Sequence, residues 1–133
     1  MSSELKKIMC VEDEADIRTI TQLALETLGG YTVKMCESGQ EALNTVQTFN
    51  PDLILMDVMM PGMDGPTTLT RLKSSEATAH IPVIFMTARV QSSDIQQYLS
   101  LGAISAIAKP FDPVTLSSEI SKIWHQHLSV ISA

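Results

Sequence analysis

The sequence predicts an α/β fold: a doubly wound, five-stranded parallel sheet with helices on both faces. Three observations carry this reading. Five short apolar runs, at 8–11, 31–36, 53–56, 82–86 and 103–108, recur along the 133 residues. Four of them are almost unbroken by polar residues, as strands covered on both faces are. Between the runs lie stretches whose apolar residues step by three or four, the spacing of one helix face.

The elements follow in order. Ile8 to Val11 forms the first strand, and Ile17, Ile20, Ala24 and Leu28 predict a first helix that Gly29-Gly30 ends. After the second strand, Ala42, Leu43, Val46 and Phe49 repeat the pattern, with Pro51 as a stop. After the third strand, Leu69 and Leu72 mark a shorter helix starting near Asp64. Ile95, Tyr98 and Leu99 mark a fourth, with Ser92 or Ser93 as its cap. Leu116, Ile120 and Ile123 mark a fifth, opened by Asp112 as capping carboxylate and Pro113 at the first helical position. Only a few residues follow it, ending in Ser132-Ala133. Regular alternation of strand and helix implies right-handed crossovers. No linker, low-complexity tract or second domain interrupts it, so 1–133 is expected to be one domain.

Composition bounds the function. A 44% hydrophobic and 18% charged chain is globular, not disordered. A net charge of -6 argues against nucleic-acid binding, which needs a basic patch. The apolar run near the N-terminus is too short for a signal-peptide core or a membrane span, so a cytoplasmic location is expected. Cys10 and Cys36 sit in apolar strand-like runs and match no zinc spacing; buried, reduced thiols are expected. His80, His125 and His127 do not read as a metal cluster, since residues two apart on a helix face differently. The methionines around Asp57 read as packing, and Trp124 borders the inward face of the fifth helix.

In an open parallel sheet, function collects at the carboxyl ends of the strands. Glu12, Asp13 and Glu14 follow the first strand, Asp57 the third, Thr87 the fourth, and Lys109-Pro110 the fifth. Singly, each has an ordinary explanation: acids favoured by a helix dipole, a turn residue, a cap, a solvated lysine. Jointly, four strands aim complementary chemistry at one edge. Crowded carboxylates resist joint ionisation unless a cation sits among them. Oxygen ligands suit a hard divalent ion, naturally Mg2+. Mg2+ points to phosphate chemistry, in which a carboxylate accepts a phosphoryl group while metal, lysine and threonine hold its oxygens.

Together VEDE (11–14), LMD (55–57), MPGMDG (60–65), MTA (86–88) and KPF (109–111) resemble the receiver domain of two-component response regulators, in order and spacing, over essentially the whole chain. The resemblance implies a flavodoxin-like fold of strand order 2-1-3-4-5. It implies that Asp57 accepts a phosphoryl group from the phosphohistidine of a sensor histidine kinase or phosphotransfer protein. Asp13, Asp57 and the Met59 backbone carbonyl would hold Mg2+, with Glu12 assisting. Lys109 would pair with the phosphoryl group, Thr87 would hydrogen-bond it, and backbone amides after Asp57 and at Ala88 would complete its cradle. Lys109-Pro110 would be a cis peptide. The domain would act as a signalling switch and not as an enzyme on other substrates. A downstream target or a second copy would dock through the fourth helix, fifth strand and fifth helix, with no output domain in the chain.

Three departures from the family's pattern follow. The acidic pair is Glu12-Asp13, where two aspartates are commoner. Met59 and Arg89 stand two residues beyond Asp57 and Thr87; a methionine there shields the acyl phosphate from water, and an arginine can cover or contact it, so slow self-hydrolysis is expected. The family's switch aromatic, three residues before the lysine, is Ala106, so coupling through that side chain cannot operate. Tyr98 is the candidate substitute, set against the ordinary role of a core aromatic. Among rival readings, an aspartyl phosphatase lacks its second acid, because Val58-Met59 follows Asp57. A flavin or nucleotide binder would need a glycine-rich loop where Glu12-Asp13-Glu14 stands. A degenerate receiver, serving only as an interaction module, stays the second reading.

Overall fold

Each apolar run becomes a strand and each amphipathic stretch a helix. The computed structural model describes residues 4–131. Its strands are β1 (Lys7–Val11), β2 (Thr32–Cys36), β3 (Leu53–Asp57), β4 (Val83–Thr87) and β5 (Ser105–Ala108). All pair in parallel, in the order β2-β1-β3-β4-β5. The helices are α1 (Ala15–Leu23), α2 (Gly39–Phe49), α3 (Gly65–Lys73), α4 (Ser92–Leu101) and α5 (Leu116–Ile131). α1 runs on into a π-helical turn, Ala24–Leu28.

Alternation along the strands sorts the core into two layers. Met9, Val11, Ile54, Met56, Val83 and Phe85 face one side, against Ala42 and Val46 of α2, Leu69 and Leu72 of α3, and Tyr98 of α4. Ile8, Cys10, Leu53, Leu55, Ile84 and Met86 face the other, against Leu25 and Leu116, Ile120 and Trp124 of α5. β3 and β4 are buried at every position, and β2, at the edge, is not. The polar residues of the second run sit on that strand, Thr32 exposed and Lys34 half-buried. Both cysteines are buried and free, one in each layer.

Local signals set the helix ends. Ser38 caps α2, its hydroxyl accepting from the Glu41 amide at 3.1 Å. Asp64 caps α3 through the Thr67 amide at 2.8 Å. Three expectations need correction. The stripe Ile17, Ile20, Ala24 and Leu28 is not the buried face of α1: Thr21, Ala24 and Leu25 are buried, while Ile20 is 45% and Leu28 57% exposed. Thr21 can be buried because its hydroxyl donates to the Ile17 carbonyl, and the wider π turn shifts the residues after Leu23 off the regular period. α4 is capped by Gln91, not Ser92 or Ser93, and the Gln91 amide donates to the Asp94 carboxylate at 3.3 Å. Pro113 lies in a turn ahead of α5, where Asp112 accepts from the Val114 amide; the regular helix begins at Leu116. Ser132 and Ala133 lie outside the described residues.

Candidate functional site

Strand register brings the polar residues level. Val11 pairs with Met56, Asp57 with Met86, and Thr87 with Ala108. Three further amide bonds extend the ladder past the strand ends: Glu12 to the Cys36 carbonyl, Val58 to Met86 and Lys109 to Thr87. Glu12, Asp57, Thr87 and Lys109 are thereby fixed at the carboxyl edge, at the ends of β1, β3, β4 and β5.

Lys109 ties this edge together. Its ammonium lies 2.9 Å from Glu12 Oε1 and 3.4 Å from Asp57 Oδ1. Glu12 is fully buried, and a buried carboxylate needs partners. Besides Lys109 it has the Glu14 amide on Oε2 at 3.1 Å. The Arg18 guanidinium donates to the Glu12 carbonyl at 2.8 Å and to Glu37 at 3.1 Å, clamping the loop between β1 and α1. Asp57 is 3% exposed and also receives the Met59 amide at 3.4 Å.

Burial pushes the Asp57 carboxyl up to about 7, the negative charge of Glu12 adds to the rise, and Lys109 only partly opposes it. For Lys109, burial alone would lower the ammonium; the hydrogen bond to Glu12 and the charge of Asp57 outweigh it and hold the group above its ordinary range.

Carboxylate oxygens of Glu12, Asp13 and Asp57 lie within 4.8 Å of one another. One of the Asp13 oxygens, Oδ1, is buried without a hydrogen-bond partner, alone in this among the buried side-chain polar atoms of the described residues. A buried anionic oxygen with no donor, inside an all-oxygen carboxylate set, suits a hard divalent cation such as Mg2+. No other grouping of three metal-ligating side chains occurs among the described residues, the histidines included.

Beside this cluster opens a cleft of about 180 Å3 lined by Glu14, Asp57, Met59, Thr87, Ala88 and Lys109. Met59 is 78% exposed at its rim. Thr87 is buried; its hydroxyl accepts from the Arg89 amide at 3.0 Å and lies 3.4 Å from the Tyr98 hydroxyl. The Arg89 side chain is exposed, and Arg89 does not line the cleft. Ala106 is half-buried against the core layer that holds Tyr98. The Lys109–Pro110 peptide is cis. Sequence reasoning missed Glu14 as a lining residue and Arg18 as the clamp on Glu12; it offered Tyr98 as the substitute switch aromatic without its contact to Thr87. Of the two missed residues, only Glu14 had a signal, its place in the acidic run.

A flavodoxin-like, doubly wound α/β domain with an acid-lined cleft at its carboxyl edge is the class these features define. Within that class, the chain belongs to the response regulator receiver domain family, whose profile matches residues 8–121. It is 39% identical over 118 residues to the phosphate regulon transcriptional regulatory protein PhoB of Pseudomonas aeruginosa, covering 89% of this chain and 51% of that protein. It thus spans about half the length of the curated relatives it matches. Among solved structures, the chemotaxis response regulator CheY4 of Vibrio cholerae superposes with a TM-score of 0.83 at 28% identity, covering 90% of this chain and 99% of that one. A response regulator from Chloroflexus aurantiacus gives 0.81 at 30% identity, covering 92% and 99%. No helix among the described residues is long and apolar enough to cross a membrane.

Proposed function

We propose that this receiver domain accepts a phosphoryl group on Asp57 from the phosphohistidine of a sensor histidine kinase or a phosphotransfer protein. The supporting observation is that Asp57, Lys109 and Thr87 line one cleft beside the Glu12-Asp13-Asp57 carboxylate cluster, with Lys109 paired to Glu12 and Asp57. An Asp57 oxygen attacks phosphorus, the P–N bond breaks, and its electron pair returns to the imidazole. Lys109 already sits between Glu12 and Asp57, so its ammonium can turn to the incoming phosphoryl oxygens without leaving Glu12. The Thr87 hydroxyl and the backbone amide of Ala88 take further oxygens at the cleft wall. Glu12, Asp13, Asp57 and the Met59 carbonyl would hold Mg2+, which when bound supplies positive charge against the transferring oxygens and favours ionised Asp57. Met59 turns an apolar thioether to the rim where water would enter.

The output face lies on α4, β5 and α5, where Leu99, Ile104, Ile123 and Val130 border a groove of about 420 Å3. A downstream protein or a second copy docks there in this reading.

Incubation with Mg2+ and acetyl phosphate, followed by intact-mass measurement, tests the proposal. The expected result is the mass of one added phosphoryl group, lost in Asp57→Ala and without chelatable metal. An unmodified wild-type chain, or equal modification of Asp57→Ala, would overturn it.

A further inference from the structure

We propose that Tyr98 carries the state of the Asp57 site into α4. The inference rests on the phosphoryl-accepting reading above and adds the route by which that site acts on the rest of the domain.

Val83, Phe85 and Thr87 share one face of β4, the face that α4 covers. Phe85 meets the Tyr98 ring edge-on, with centroids 5.3 Å apart. Its register partner on β5 is Ala106, which offers only a methyl group. The hydroxyl nearest Thr87 on this face therefore comes from α4. Thr87 is 4% and Tyr98 7% exposed, and their oxygens are 3.4 Å apart.

Proton counting makes this contact sensitive to the cleft. The Thr87 oxygen already accepts from the Arg89 amide, and each hydroxyl has a single proton to donate. Either hydroxyl can be the donor of the pair while the cleft holds no anion. Phosphoryl oxygens only accept, so a phosphoryl group on Asp57 claims the Thr87 proton. Tyr98 must then donate to Thr87 or lose its partner. Any movement of Thr87 toward the cleft lengthens a contact already near its geometric limit.

α4 is built to feel that change. Tyr98 is the one buried residue among its ten. Ile95 is half-buried, while Leu99 and Leu101 are exposed. A helix held by one deep side chain shifts when that side chain changes partner, and Leu99 borders the output groove. Core packing alone accounts for a buried ring but not for a hydroxyl directed at Thr87.

The chain has two tyrosines, and Tyr31 packs in the opposite core layer. Protein labelled with 13C at tyrosine Cζ therefore gives two signals, assigned with Tyr31→Phe. Mg2+ and beryllofluoride are then added to saturation, with the bound fluoride followed by 19F NMR. The Tyr98 signal should move while that of Tyr31 stays. Hydrogen exchange across α4 should change in the wild type, and this response should fall about fivefold in Tyr98→Phe, the factor of one ordinary hydrogen bond. A stationary Tyr98 signal, or an equal α4 response in Tyr98→Phe at equal occupancy, overturns the inference with the phosphoryl-accepting reading intact. Absence of bound fluoride in the wild type overturns both.

Discussion

Burial and the neighbouring Glu12 carboxylate raise the Asp57 carboxyl from 3.8 to about 7. The unfolded chain releases this proton near pH 4, and the folded chain keeps it until near neutrality. Between those values the native state binds the extra proton, so stability falls as pH rises and levels off above the folded pKa. Asp57→Asn removes the charge at nearly constant volume. In metal-free buffer at pH 8 it should melt higher than wild type by about 5 °C or more, the gain vanishing toward pH 4. Thermal melts of both proteins across that range check the sign. Met59 gives a second residue-scale expectation. Its exposed thioether cannot orient water, whereas a carboxamide can. Met59→Asn should therefore shorten the life of the phosphorylated state by about fivefold, close to 1 kcal/mol of barrier. Loss of label from phosphorylated protein measures it, and equal rates in the two proteins refute the shielding idea.

Among the elements, α3 packs its first turn directly against the strand end that carries Asp57. Asp64 caps it, and Gly65 then brings its first turn against the backbone of Asp57 and Val58. A Cβ at Gly65 would stand 2.6 Å from the Asp57 carbonyl oxygen and 2.9 Å from the Val58 Cα. Both are backbone atoms and cannot rotate away. Gly65→Ala should cost about 1–3 kcal/mol in urea unfolding and should weaken Mg2+ binding, because the strain falls on the Asp57 loop. The strands were readable from the sequence because continuous apolar runs have few other fates, and the residues after them announced the site. What stayed hidden depends on contacts. Thr21 looks polar until its hydroxyl meets the Ile17 carbonyl. Gln91 outcompetes two serines as cap because Asp94 lies where it can accept from the Gln91 amide. Arg18 reaches Glu12 across a loop, and Tyr98 reaches Thr87 across a helix-sheet interface. Neither pair has a sequence period to betray it.

At the scale of the molecule, two core layers clamp a sheet whose carboxyl edge gathers more negative than positive charge. Among the described residues, Lys109 is the one ammonium ion-paired with Glu12 and Asp57, and Asp13 adds a third carboxylate beside them. A divalent ion would bind only the folded arrangement, since the unfolded chain scatters these residues. Mg2+ at about 100 times its dissociation constant should add about 2.7 kcal/mol to stability near neutral pH. Asp13→Asn should lose most of that increment, and denaturant titrations with and without Mg2+ will measure it. The buried, partnerless Asp13 Oδ1 has a wider consequence. A cation that met its demand would also strengthen the hold on an anionic group at Asp57. By thermodynamic reciprocity, that group must tighten the cation by the same factor. The cleft would then act as a coincidence detector for two charges of opposite sign, the equilibrium affinity for each rising when the other is present.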